Sequence, residues 1–473
     1  MTDAQRPRQP IPLATRITPA LADAPLRNLA LYAVMGFAIV AASLVDLPRL
    51  KHFGQMSGLG VLTVVDCVMG LIALLFVRAF PRRLLMPVGL YAAFMCWCAI
   101  SALWAPPRTQ GLQNAAVFLS LLVLLAVSAV AAVEDRVMTE RAIGAAILLA
   151  DLIGLGVVAA SLVLRGLPTN IDVIPWFVHP RAMALFGLVP LSWHLAQWAR
   201  GGGRAGAIAF LWAGAIFVSL SRTATAIALL LFVFSAIIRS RRIRMSWRSQ
   251  TVLIAAVPAM FMLILAWAPF RNRLFSRIDY GFDSGTVGLK DNGRTFMWRG
   301  VAESALKAPF LGHGLGSSES AVSDAYYWVG HPHNDYLRVW HDLGLVGLAL
   351  LVAAFATWFR ILATGLRRVV LQTERDPTLQ LAALGALLAL LFGMMTDNSL
   401  VYGFVMSPTA VVLGAGLGAR IQSSQKRVRR RLTKEADRPR IPDSVAPHKP
   451  SSTGAYGAAS KANSRRRKWR RFE

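Results

Sequence analysis

From residue 29 onward the chain runs in apolar blocks of about 18–22 residues separated by short polar runs. A helix rises 1.5 Å per residue, so about 20 such residues cross the hydrocarbon core of a bilayer. A transmembrane barrel would instead alternate polar and apolar positions over segments of about ten residues. The pattern predicts an all-α polytopic membrane protein of about 12 transmembrane helices. They fall at roughly 29–47, 57–77, 84–104, 112–133, 142–164, 182–198, 205–220, 224–238, 251–269, 336–359, 378–396 and 401–420. The pair 205–220 and 224–238 is one apolar run broken at Ser221-Arg222-Thr223. The domain plan is then a disordered arm (1–27), nine helices (28–269), one large loop (270–335), three helices (336–420) and a basic disordered tail (421–473).

Composition agrees. The chain is 55% hydrophobic and only 16% charged, where a soluble protein carries about a quarter charged residues. Cys67, Cys96 and Cys98 all lie inside apolar runs and read as small buried hydrophobes, not as a disulfide framework. The net charge is +27, of which residues 421–473 supply +12 through 16 Lys/Arg against four Asp/Glu. The stretch "KANSRRRKWRRF" suggests nucleic-acid binding taken alone. It follows a membrane span and lacks a folded nucleic-acid module, so it reads as a juxtamembrane tail touching anionic lipid, and no nucleic acid is expected. The N-terminus shows no cleavable signal pattern and is expected to lead into an uncleaved first helix.

Positive charge in short loops sets orientation. With the N-terminus cytoplasmic, the inner loops hold Arg78, Arg82 and Arg83; Arg136 and Arg141; Arg200 and Arg204; Arg239, Arg241, Arg242, Arg244 and Arg248; and Arg360, Arg367, Arg368 and Arg375. An even number of helices then places both termini in the cytoplasm. The outer face receives His179-Pro180-Arg181, the Ser221-Arg222-Thr223 break, the loop 270–335 and Asp397-Asn398.

The candidate chemistry lies on that face. In "HPHNDYLRVWHDLGLVGL", Pro332 prevents helix before it, Asn334 is an N-cap and Asp335 complements the helix dipole. Capping leaves His333 unexplained. Beside a helix N-terminus its cation is disfavoured, so it is a candidate neutral base. His331 and His341 do not complete a metal-ligand spacing with it, and no metal is expected. In "NGRTFMWRGVAESALKAPFLGHGLG" a helix is predicted over 294–307, with Arg294, Trp298 and Val301 on one face. "GHGLG", with Gly314 at its centre, lacks the Lys-Ser/Thr of a phosphate loop and reads as a turn where backbone approaches something closely. Arg222 inside an apolar run needs solvent, a partner or a function. Forked guanidinium donors suit a diphosphate, histidine suits a hydroxyl proton, and Asp397 could orient a histidine or pair an arginine. Arginines can stabilise a leaving diphosphate without a metal, and no cofactor is expected.

In order along the chain, "SRTATA", "GRTFMW", "KAPFLGHGLG" and "HNDYLRVWHDLGLVGL" resemble the motifs of the O-antigen ligase and polymerase superfamily of bacterial envelope glycosyltransferases. The matching elements lie within about residues 175–410; the first third is similar in hydropathy alone. The resemblance implies inverting, metal-independent transfer at a periplasmic site from an undecaprenyl-diphosphate-linked glycan to an acceptor hydroxyl. It implies His333 as the base, Arg222 and Arg294 as diphosphate ligands, and Asp397 as a late acidic residue. Asn334, Trp298 and Gly314 fall in the same motifs as supporting residues, and Arg181 is added on its setting. Two departures stand out: Asp342 where many members have Glu, and an extra histidine, His331.

A ligase transfers finished glycan to lipid A–core. A polymerase extends a second lipid-linked chain, and exopolysaccharide polymerases share the motifs. The ligase type is favoured. A glycan transporter or flippase would instead require ionisable residues deep in the membrane, and Asp66 and Asp151 are the acidic residues well inside the predicted spans.

Overall fold

A computed structural model describes residues 26–44, 58–77, 80–106, 109–167, 177–243, 245–248, 251, 255, 259, 262, 264–276, 288–289, 293–325, 331–366 and 377–436. Eight helices come first: α1 Leu26–Ser43, α2 Gly58–Leu75, α3 Leu85–Ser101, α4 Thr109–Glu134, α5 Arg136–Arg165, α6 Pro180–Ala199, α7 Gly203–Val218 and α8 Arg222–Arg242. A short α9 (Ala268–Leu274) leads into β1 (Phe275–Ser276), which pairs antiparallel with β2 (Gly288–Leu289). Then come α10 Arg294–Ala305, α11 Ser317–Ala325, α12 Asp335–Ala363, α13 Thr378–Thr396 and α14 Gly403–Ala436. The protein is an all-α polytopic membrane protein. Among the described residues seven helices are long and apolar enough to cross a membrane, and α1, α2 and α7 are shorter apolar helices.

Eleven of the predicted spans coincide with helices; most of the span predicted at 251–269 lies outside the described residues. The apolar run around residue 221 does split, into α7 and α8. Ser221 caps α8 by accepting from the Ala224 amide, and Leu220 turns the chain at φ +59°. The last helix departs from the prediction, running 16 residues beyond 420 to Ala436, because the basic stretch after the membrane residues still favours helix. Contacts divide the chain into Met1–Gln425 and a second unit, Lys426–Glu473, of which only the helical start is described. The arm before Leu26 and the tail beyond Ala436 lie outside the described residues.

Large apolar side chains lie on the surface as well as in the buried core. Leu71, Ile72, Leu75, Leu149, Leu152, Phe210 and Leu211 are exposed on α2, α5 and α7, as lipid-facing positions should be. The membrane portion of α14 is buried throughout, and α4 and α13 nearly so. Small residues permit this: Gly414 and Gly418 let α14 lie against the carbonyls of Leu125 and Ala129 on α4.

Both intramembrane carboxylates tie helices together. Asp151 on α5 accepts from Trp212 Nε1 of α7 at 2.7 Å and pairs with His194 Nε2 of α6 at 2.7 Å. Asp66 on α2 accepts from Ser407 Oγ of α14 at 2.6 Å. Interhelical hydrogen bonds of this kind each contribute about 0.6–1.7 kcal/mol. Replacing Asp151 by Leu strands two buried donors and is expected to cost about 1–3 kcal/mol. A lowered unfolding midpoint in detergent, with Asp151→Asn intermediate, checks this.

The large loop docks on α3 and α12. α12 breaks at Gly344, whose backbone is left-handed and extended (φ 67°, ψ −172°). Turn 312–316 nests against that break, with the amides of His313 and Gly314 donating to the carbonyls of His341 and Asp342 at 2.9 and 2.8 Å. Gly314 has φ +93°, and a Cβ there would strike the backbone of Ala105. This is the close backbone approach that "GHGLG" predicted. Trp97 and Trp104 fasten the assembly by donating to the Leu343 and Gly312 carbonyls.

Candidate active site

Five helix ends meet at one place. Arg181 is in the first turn of α6, behind the Pro180 start. Arg222 is the first residue of α8 and Arg294 the first of α10, where Gly293 (φ +72°) turns the chain. Asp397 and Asn398 follow the last turn of α13. His333 stands just ahead of α12, whose cap is Asn334 accepting from the Leu337 amide at 3.1 Å.

Asp397 joins these pieces. Its Oδ2 accepts from Nε and Nη2 of Arg181 at 3.1 and 3.0 Å, and its Oδ1 lies 3.7 Å from His333 Nδ1. Burial opposes the carboxylate, yet the Arg181 guanidinium and the Asn398 backbone amide hold it below the usual carboxylate range. Arg294 reaches the carbonyl of Thr396 at 2.6 Å, while Thr396 Oγ1 meets Thr223 Oγ1 of α8 at 2.8 Å. The Arg294 guanidinium is pulled down to about 10, first by burial and then by Arg181, with Arg222 and Arg273 adding to the repulsion. Arg222 also donates to the Arg273 carbonyl at 3.3 Å. Four guanidiniums thus share one region with the carboxylate of Asp397. An excess of fixed, forked donors has the chemistry that suits a multiply charged anion.

His333 is held in an uncommon conformation, with φ +50°. Left-handed backbone at a non-glycine residue persists where its surroundings impose it. Trp298 supplies one restraint, donating from Nε1 to the Pro332 carbonyl at 2.8 Å. Asn398 Nδ2 lies 2.9 Å from His333 Nδ1 and supplies another. The imidazole stays neutral below its ordinary range because burial disfavours the cation, a tendency Arg181 and Arg294 reinforce and Asp397 opposes.

The sequence motifs concealed a second layer. Arg338, fully buried one turn into α12, donates to Glu319 Oε1 at 2.7 Å and to Asn398 Oδ1 at 3.1 Å, and its Nε lies 3.3 Å from Asp335 Oδ1. Asp335 does more than face the helix dipole, since its Oδ2 accepts from the Leu400 amide at 2.7 Å and fixes the turn after Asn398. His331 contacts Glu319 at 3.2 Å; burial opposes ionisation of Glu319, but His331 and Arg338 keep it below the usual carboxylate range. A cation in the first turn of a helix opposes the macrodipole, and that was the available signal for Arg338. Asp342 accepts from the amides of Gly316 and Ser318 at 2.9 and 2.7 Å, so it binds the start of α11. His341 is engaged by Ser304 and Ser317 and stacks on His313. Among the described residues no three His, Cys, Asp or Glu side chains are placed to hold a metal. Gly314 belongs to the support of the loop, packed on Ala105.

Beside Arg181 opens a cavity of about 430 Å³, lined among others by Asn114, His179, His331, Tyr402 and Phe404. Tyr402 and Phe404 stack at 5.2 Å and 15°.

Residues 207–352 match the family model described as O-Antigen ligase. Over that stretch the chain is similar to the O-antigen ligase family, which supports an assignment to the O-antigen ligase and polymerase superfamily. The O-antigen ligase region contains Arg222, Arg294 and His333, while Arg181 and Asp397 flank it and reach the site through the fold. No curated protein matches the chain. Members of the O-antigen ligase superfamily are glycosyltransferase-like membrane enzymes that act on lipid-linked glycans and their acceptors.

Proposed function

We propose that this protein is a metal-independent, inverting glycosyltransferase of the O-antigen ligase type in the bacterial inner membrane. It moves a glycan from undecaprenyl diphosphate to an acceptor hydroxyl, with lipid A–core as acceptor. The observation that carries this reading is the convergence of Arg181, Arg222, Arg294 and His333 at one end of a membrane helix bundle, around the carboxylate of Asp397. Arg222 and Arg294 bind the donor diphosphate and spread the charge that develops on it as the glycosidic bond breaks. Arg181, pinned by Asp397, closes that cradle on the side of the cavity. His333 is the catalytic residue at the transferring carbon. The cavity, with its stacked aromatic pair and the Asn114 amide, suits a sugar ring.

Topology follows the loop charges: both termini are cytoplasmic and the site is periplasmic, with anionic lipid meeting the basic tail. Polymerase activity on O-antigen or exopolysaccharide repeats is the second reading, favoured by the same motifs. A flippase or transporter is remoter, since Asp66 and Asp151 are spent on interhelical hydrogen bonds.

Complementation separates these. In a ligase-null strain the protein should restore glycan-capped lipid A–core on gels, and in a polymerase-null strain it should leave chains at one repeat unit. The reverse pattern identifies a polymerase. Transfer should persist in excess chelator, and strict dependence on added metal would count against the arginine cradle.

A further inference from the structure

The tautomer of His333 follows from a chain of hydrogen bonds that starts at a group unable to change its role. Arginine is always a donor. Arg338 Nη2 faces the side-chain amide of Asn398 at 3.1 Å, so the atom it meets must be the amide oxygen. The nitrogen of that amide is therefore the atom 2.9 Å from His333 Nδ1 and 3.3 Å from the Tyr402 hydroxyl. An amide N–H has to find an acceptor, so His333 Nδ1 carries the lone pair and the ring proton sits on Nε2. Glu319 and Asp335 hold Arg338 in place, and Asn398 is wholly buried, which prevents the amide from turning to solvent. Asp397 Oδ1, at 3.7 Å, is too far to claim the Nδ1 position by a hydrogen bond. No described residue hydrogen-bonds Nε2.

We propose that Glu319, Arg338 and Asn398 are positioning residues that fix His333 as a neutral imidazole presenting Nε2–H, so that it serves the reaction as a hydrogen-bond donor and not as the proton acceptor. This rests on the glycan-transfer reading and replaces the role of base within it. The groups facing the ring agree: Arg181 and Arg294 make its surroundings suited to an anion, and Asp397 is already engaged by Arg181. Nε2–H then donates to the diphosphate oxygen that leaves the sugar. The bond between the sugar's anomeric carbon and that oxygen breaks, and its electron pair stays on the phosphate. The acceptor oxygen forms the new bond to the same carbon. Its proton, released on the face opposite the leaving group in an inverting transfer, passes to solvent water.

Two experiments test this. Solid-state ¹⁵N spectra of histidine-labelled protein in lipid, with His333→Gln identifying the signal, report the tautomer without any substrate. The expected result is a protonated Nε2 and a bare Nδ1. Asn398→Asp should move the proton to Nδ1, because a carboxylate can only accept. A bare Nε2 in the wild-type protein overturns the proposal, and that reading needs no variant beyond the assignment control. In the transfer assay, His333→Ala should lose about 10²–10³-fold, and His333→Gln, which keeps an N–H donor but cannot act as a base, should regain about tenfold or more of that loss. Equal inactivity of the two, with an acidic limb in the wild-type pH profile that His333→Gln removes, would restore the role of base. If the wild-type protein transfers no glycan while its Nε2 is protonated, the glycan-transfer reading fails and the tautomer assignment stands.

Discussion

His333→Ala is expected to lower glycan transfer by about 10²–10³-fold while leaving membrane insertion and folding intact. The side chain is partly exposed and, among the described residues, bonds the protein through Nδ1 alone, so its removal opens no large buried cavity. What is lost is the neutral group placed between Arg181, Arg294 and Asp397. An interaction made only in the transition state should appear as a fall in kcat with little change in KM for the lipid-linked donor. The arginine variants Arg222→Gln and Arg294→Gln should differ from it by raising the donor KM as well, because their forks also hold the ground-state diphosphate. Kinetics on protein reconstituted in lipid, with equal amounts inserted, separate the two patterns.

Arg338→Met carries the largest expected cost in stability, about 3–5 kcal/mol. Arg338 is fully buried against two carboxylates, Glu319 and Asp335, and the second of these is wholly inaccessible. Removing the cation leaves Glu319 with His331 and Asp335 with the Leu400 amide as their remaining partners, and breaking a buried pair costs more than never having buried it. The turn after Asn398 loosens with it, since Asp335 also holds the Leu400 amide. Thermal unfolding in detergent should show a strongly lowered midpoint for Arg338→Met and a partial recovery when Glu319→Gln is added. Additive losses in the double variant would show that the two residues do not act as a pair.

Hydropathy made the helices legible because a bilayer demands long apolar segments whatever their partners. Even the broken run at Ser221-Arg222-Thr223 was readable, since a serine cap and a buried-run arginine both argue for an end. Asn334 was recognisable as a cap from local chemistry alone. The arginines and His333 stood out as candidates because each sits where simple packing has no use for it. The support network escaped that logic. Glu319, Arg338 and Asn398 come from three separate segments, and apart from the charge of Arg338 opposing the helix dipole, each has an ordinary explanation where it stands in the chain. Only the fold joins them, setting Arg338 2.7 Å from Glu319 and 3.1 Å from Asn398. Asp342 was misleading for the same reason, as its partners are backbone amides of the loop and not another motif residue.

The most direct test of the arginine-and-histidine site is transfer in proteoliposomes containing only this protein, an undecaprenyl-diphosphate-linked glycan, and lipid A–core as acceptor, in the presence of a chelator. The expected result is glycan on the acceptor with one undecaprenyl diphosphate released per transfer, lost in Arg294→Gln and His333→Ala. Glycan crossing the bilayer still attached to its carrier, or transfer at an unchanged rate in both variants, would contradict it.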